Sequence, residues 1–255
     1  MAQASLPLVH ITTRGISYNY LRGLKQEMDG SFFRDTITPL GEGRTLSFVV
    51  DKYGNEISEI SFEVRSIDGT RLVEKTKVDD YSDKGDSIQA NITIKDLIEP
   101  GVEYNWILML KIGNDTVRYY TRIIDSDTYY TYEKLRFVKD FHDKTFDKEQ
   151  AKDLAMYMES NTRGDNTILS HVDIHCSLNQ VSWANLISEP QIVISEIETQ
   201  TASIRMSYRV QTIEGKKRDE YNVVEFFRIR YTPDRTYLLD YERSMNQIFD
   251  PEADV

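Results

Sequence analysis

One cysteine, Cys176, serves the whole 255-residue chain. A single thiol closes no internal disulfide. Eukaryotic secreted domains of this size commonly carry several, so that class fits poorly. A cytosolic protein, or an extracytoplasmic protein of a bacterium that does without disulfides, fits better. No run of about 18 apolar residues occurs, so nothing reads as a membrane-spanning helix. The opening "MAQASLPLVH" has small residues but no apolar h-region, and does not read as an intact signal peptide. There is no Gly-x-Ser-x-Gly elbow, no Gly-rich phosphate loop before a helix, no internal repeat and no low-complexity linker. Basic residues are outnumbered, 31 against 42 acidic ones, for a net charge of −11 and a pI near 4.9. Nucleic-acid backbones and anionic membranes need clustered Lys and Arg, so neither is expected as the main partner.

What is present suits packed cores. From Leu6 to about Asp125 the chain reads as strand after strand. Turn signals "DKYGNE" (51–56), "SIDGTR" (66–71) and "IGNDTV" (112–117) place Gly, Asn or Asp where a hairpin needs a positive φ. Ile60, Phe62 and Val64 alternate with Ser61, Glu63 and Arg65, as in a half-buried strand. Many short strands of this kind predict a β-sandwich. In "DLIEPGVEYNWILMLKI" (96–112), Leu97, Pro100-Gly101 and Tyr104 before a long strand resemble the tyrosine corner of immunoglobulin-like and fibronectin type III sandwiches. The resemblance implies that the Tyr104 hydroxyl bonds to backbone between Leu97 and Pro100.

Around Thr128 the period changes from two to three or four. "YTYEKLRFVKDFHDKTF" (130–146) puts Leu135, Val138 and Phe141 on one helical stripe with Phe137 beside it. A second helix is expected in "FDKEQAKDLAMYMESN" (146–161), with Asp147 as N-cap, Gln150 as capping-box partner, and Leu154, Ala155 and Met158 as its apolar stripe. Long strands return in "ASIRMSYRVQT", "YNVVEFFRIRY" and "TYLLDYERSM". Helices followed by antiparallel strands predict an α+β unit, two helices on a curved sheet, in a cystatin-like or NTF2-like arrangement. Two domains are therefore expected: a sandwich at 1–125 and an α+β domain at 126–255. The first core should contain Val49, Ile60, Phe62, Val64, Trp106, Leu108 and Leu110. The second should pack its helices on Ile204, Met206, Tyr208, Phe227 and Leu239.

The stretch "SHVDIHCSLNQ" (170–180) gathers His171, Asp173, His175 and Cys176. As a strand from Ile168 to Trp183, it turns Cys176 away from the histidines. His171 and His175 are then about 13 Å apart, too far for one ion ligated at about 2 Å. No metal and no cofactor is expected. The histidines and Asp173 read as a polar sheet face that could contact a ligand. Cys176 reads as a small core residue rather than a nucleophile. "VDDYSDKGD" (78–86) lacks the EF-hand order and distal glutamate, and reads as a solvated loop. Tyrosine occurs 16 times, with pairs at Tyr119-Tyr120 and Tyr129-Tyr130. Strands favour Tyr, but Tyr also suits binding faces, and Tyr129 and Tyr130 are taken as binding candidates. No catalytic residue stands out; a glycosidase-like carboxylate pair would have to come from many carboxylates with nothing to mark two of them.

At "QEMDGSFFRDTITPL" (26–40), "RYYTRII" (118–124), "FVKDFHDKTFDKEQAKDLA" (137–155) and "RTYLLDYERSMNQIFD" (235–250), the chain resembles uncharacterised proteins of clostridial Gram-positive bacteria. These carry an amino-terminal membrane anchor and a large extracytoplasmic part. The resemblance implies a location at the bacterial cell surface, with membrane attachment only through an anchor missing from this chain. The function expected is a non-enzymatic binding or interaction module for an envelope protein or a glycan. The alternatives are a carbohydrate-active hydrolase and a ligand-sensing ectodomain.

Overall fold

The structure, a computed structural model, describes residues 5–157, 184–214 and 217–248. Among these residues the chain is mostly β, with fifteen strands in three sheets and little helix. It divides into two compact units, Met1–Tyr129 with Val193–Ile197, and Tyr130–Ile192 with Glu198–Val255. The change of period near Ser126 falls close to the first break. A short segment that returns to the first unit leaves no such mark in the sequence.

The first unit contains β1 (Leu8–Thr13), β2 (Ile16–Arg22), β3 (Ile37–Pro39), β4 (Thr45–Asp51), β5 (Glu59–Ser66), β6 (Leu72–Lys77), β7 (Ser82–Asp83), β8 (Ser87–Thr93), β9 (Glu103–Ile112) and β10 (Asp115–Ile124). One sheet runs β2-β1-β4-β8-β7 and the other β3-β10-β9-β5-β6, with β3 parallel to β10. Alternation drives the packing. Leu46, Phe48 and Val50 of the first sheet and Ile60, Phe62, Val64, Leu108 and Leu110 of the second are buried. Trp106 lies between them, its ring 5.7 Å from Phe48 and 6.3 Å from Phe62, so the two sheets face one another as a sandwich. Val49 does not belong to this core. The even positions of β4 point inward, and Val49 is only half-buried.

Two of the three turn signals join hairpin partners, β5 to β6 and β9 to β10. "DKYGNE" does not, because it carries the chain from β4 in one sheet to β5 in the other. Its turn is genuine, with Tyr53 at φ 47° and Gly54 at φ 78°. Turn chemistry is local, however, and does not choose the next strand's partner. The Glu99 N–H donates to Tyr104 Oη at 3.1 Å, with Tyr104 buried, as the tyrosine-corner reading expects. Tyr104→Phe should cost about 0.5–1.5 kcal/mol, the net worth of one hydrogen bond, measured by chemical unfolding.

Asn19 is fully buried at φ 48°. Its Nδ2 donates to Ile37 O and Thr38 Oγ1, and its Oδ1 accepts from the Ile194 N–H, each at 2.8 Å. Arg122 Nη2 donates to Ser195 O at 2.9 Å. These bonds hold Val193–Ile197 in the first unit.

The second unit begins with α1 (Thr131–Lys144) and α2 (Lys148–Ala151), followed by a 3-10 segment, Lys152–Tyr157. Asp147 caps α2 by accepting from the Glu149 and Gln150 N–H groups, and Gln150 Nε2 returns a bond to it. The expected start is therefore present, but the α-helix is one turn long, and the chain tightens to 3-10 where a longer α-helix was expected. Leu154 is buried; Met158 lies outside the described residues. After β11 (Asn185–Leu186) and β12 (Gln191–Ile197) come β13 (Thr201–Glu214), β14 (Lys217–Tyr231) and β15 (Thr236–Gln247). The third sheet follows the path β11-β13-β14-β15. Leu135, Val138 and Phe141 of α1 are buried, and the Phe141 ring meets Phe227 at 5.6 Å and Tyr241 at 5.2 Å. Leu238 fills the inward place expected of Leu239. The β14–β15 register shifts between Arg228 and Ile229, and Leu239 is the extra residue of that bulge.

Candidate functional site

The inward face of the third sheet carries charges among its apolar residues. Glu225 shares the inward face of β14 with Val223 and Phe227 and is fully buried. Its Oε2 accepts from His142 Nδ1 of α1 at 2.7 Å. Its Oε1 accepts from Tyr241 Oη at 2.6 Å and from Arg243 Nε and Nη2 at 3.1 and 2.5 Å, both residues on β15. Arg243 Nη2 also donates to Thr145 Oγ1 at 2.8 Å, and that hydroxyl donates to His142 O at 2.7 Å. The ring closes on itself, joining the end of α1 to two strands.

Burial alone would raise the Glu225 carboxyl. Arg243, His142 and Tyr241 outweigh it and hold the group down to about 2. Burial and the same carboxylate push the Tyr241 hydroxyl well above its ordinary value. Glu225 is thus an ionised anion with every strong donor in place. A general acid needs the opposite, a carboxyl raised toward neutral pH. His142 has the shape of a general base, with one nitrogen on a carboxylate and Nε2 without a hydrogen-bond partner among the described residues. The imidazole is only 1% exposed, and packs edge-on against Tyr208 at 4.6 Å and Phe146 at 5.1 Å. No substrate reaches it in this conformation.

Lys134, on the same helix, is also buried. Its ammonium donates to the Glu198, Thr199 and Thr201 carbonyl oxygens, fastening the turn before β13. Burial lowers it to about 8, with Glu198 pulling the other way.

Of the residues singled out in the sequence, His171, Asp173, His175 and Cys176 lie outside the described residues. Tyr129 is half-buried. Tyr130 is exposed, precedes α1 at φ 48°, and its ring lies tilted against Tyr231 at 4.9 Å. Much of the tyrosine excess serves the cores: Tyr18, Tyr104, Tyr119, Tyr120, Tyr208 and Tyr241 are buried. Tyr119 Oη donates to Pro7 O at 2.8 Å, and Tyr120 stacks on Phe33 at 4.3 Å. Asp83 of the aspartate-rich stretch pairs with Lys52 at 2.8 Å. Among the described residues, no three His, Cys, Asp or Glu side chains gather as a metal would require, and no helix is long and apolar enough to cross a membrane.

Sequence reasoning missed Glu225, Arg243, His142 and Lys134, although a signal was there. Each is a charged or polar residue at a position that the strand or helix period turns inward.

No family model matches the chain, and no curated protein matches it. Among solved structures, the chain is similar to the crystal structure of an engineered protein at 12% identity and a TM-score of 0.28. The match covers 49% of this chain and 21% of that one.

Proposed function

We propose that the chain is a non-enzymatic binding module of a membrane-anchored bacterial envelope protein, acting outside the membrane on a glycan or protein partner. In this reading the first unit is an immunoglobulin- or fibronectin III-like sandwich and the second a cystatin- or NTF2-like α+β domain. The sandwich assignment is supported by the pairing order of the two sheets, by β3 lying parallel to β10, and by the Tyr104 corner. The α+β assignment is supported by α1 packing on the inward face of the third sheet. The location is supported by the single cysteine and by the resemblance to anchored clostridial proteins.

The observation that carries the binding reading is Glu225. The buried carboxylate of the second unit, the position where a hydrolase reading would look for its acid, is committed to holding α1 against β14 and β15. The outward side of the same sheet presents polar, charged and aromatic side chains to solvent. The test is equilibrium binding of the full chain to a panel of envelope glycans and purified surface proteins, with the glycans analysed afterwards. The expected result is retention of a ligand that is recovered intact. Release of new reducing ends, or failure to bind any member, would overturn the proposal.

A further inference from the structure

We propose that the outer face of the third sheet is a docking surface for an acidic polysaccharide, a glycan bearing carboxylate groups. The proposal rests on the binding-module reading and names its ligand class. Strand alternation turns Ser203, Arg205, Ser207 and Arg209 of β13 away from α1. On β14 it turns Phe226, Arg228 and Arg230 the same way, and β15 sets Tyr237 opposite Arg230. Arg205 and Arg209 are exposed, while Phe226, Arg228, Arg230 and Tyr237 are half-buried.

Charge complementarity selects the partner. The chain as a whole is at −11. This face runs against that balance, with five arginines, Arg218 included, against the carboxylates Glu220, Asp240 and Glu242. Asp240 and Glu242 sit on the edge strand, Asp240 opposite Arg228, and Glu220 pairs with Arg209 at 3.7 Å. Every basic side chain described on the face is an arginine, the planar fork that grips a carboxylate with two parallel bonds. Two-residue steps space Arg228 and Arg230 by about 7 Å, and four-residue steps space Arg205 and Arg209 by about 13 Å. The net charge of −11 argues against a nucleic acid as the partner.

Between the cations lie groups that fit sugar. Ser207, half-buried, offers a hydroxyl, while the buried Ser203 Oγ accepts from Arg228 Nη1 at 2.6 Å and holds that guanidinium in place. The Arg230 and Arg235 guanidinium groups both lie over the Tyr237 ring, at 4.9 and 4.8 Å. Such stacking stiffens arginine side chains before a ligand arrives and lowers the entropy lost on binding.

Affinity electrophoresis of the full chain through gels holding polygalacturonate, neutral dextran or poly-glutamate tests this. Retardation by polygalacturonate alone, weakening with added salt, is expected. Arg205→Gln/Arg228→Gln should weaken it about tenfold or more, with an unchanged far-ultraviolet spectrum. Because Arg228 bonds to Ser203, Arg205→Gln/Arg209→Gln is the second variant; both of its residues are exposed, and a similar loss is expected. No retardation by polygalacturonate, equal retardation by poly-glutamate, or undiminished binding by both variants would overturn the proposal. A chain that binds a neutral glycan or a protein, unaffected by either variant, would overturn this face while leaving the binding-module reading intact.

Discussion

Glu225→Gln should destabilise the second unit by about 3–5 kcal/mol, the cost of breaking a buried ion pair from one side. The substitution keeps the volume but leaves Arg243 buried without its anion. The unfolding midpoint of that unit should fall by roughly 10 °C or more. Replacing both charges, as Glu225→Gln/Arg243→Met, should recover much of the loss, because the uncompensated charge disappears. The pH dependence has a definite sign. The folded carboxyl is held at about 2, below its ordinary 4.5, so its contribution is fully present above pH 4.5. It declines as pH falls from there toward 2. The span corresponds to about 3 kcal/mol, of the same order as the mutational cost. Calorimetric scans of wild type and variant at neutral and acid pH read both effects. The difference between them should shrink as the solution is acidified.

Trp106→Ala should cost the first unit about 3–5 kcal/mol through transfer and cavity terms. Trp106 is fully buried between Phe48 and Phe62, and its Nε1 has no hydrogen-bond partner among the described residues, so nearly all of its contribution is packing. Trp106→Phe should therefore lose clearly less, since it keeps an apolar ring in the gap. Urea unfolding of the three proteins measures this directly. Equal losses for Ala and Phe would show that something other than volume holds the sandwich together.

How far the sequence could be read depended on the range of the interaction. Alternation identified Phe62, Trp106 and Leu108, and the helical stripe identified Leu135, Val138 and Phe141, because burial on one face is written locally. The Tyr104 bond spans five residues and was legible for the same reason. Features set by distant partners were not. "DKYGNE" looks like the other two turns, yet its strands pair elsewhere, and nothing near it says so. Val49 was placed one residue out of register, and Leu239 one residue off a bulge that only the β14 partner imposes. The charged network was hidden by a different habit. Reading stripes by their apolar members passes over Glu225, Arg243, His142 and Lys134, which sit in inward positions and bond across 83, 18 or 64 residues of chain.

The central claim is that Glu225 is a fixed anion that braces the second unit, and is not the acid of a hydrolase. Carbon-13 labelling of the glutamates, with the Glu225 side-chain carboxyl resonance assigned through Glu225→Gln, allows its titration to be followed directly. The account predicts that this resonance stays at its ionised position from pH 7 downward, until the unit itself unfolds in acid. A titration of the folded protein centred between about pH 5 and 7, where general acids operate, would contradict it.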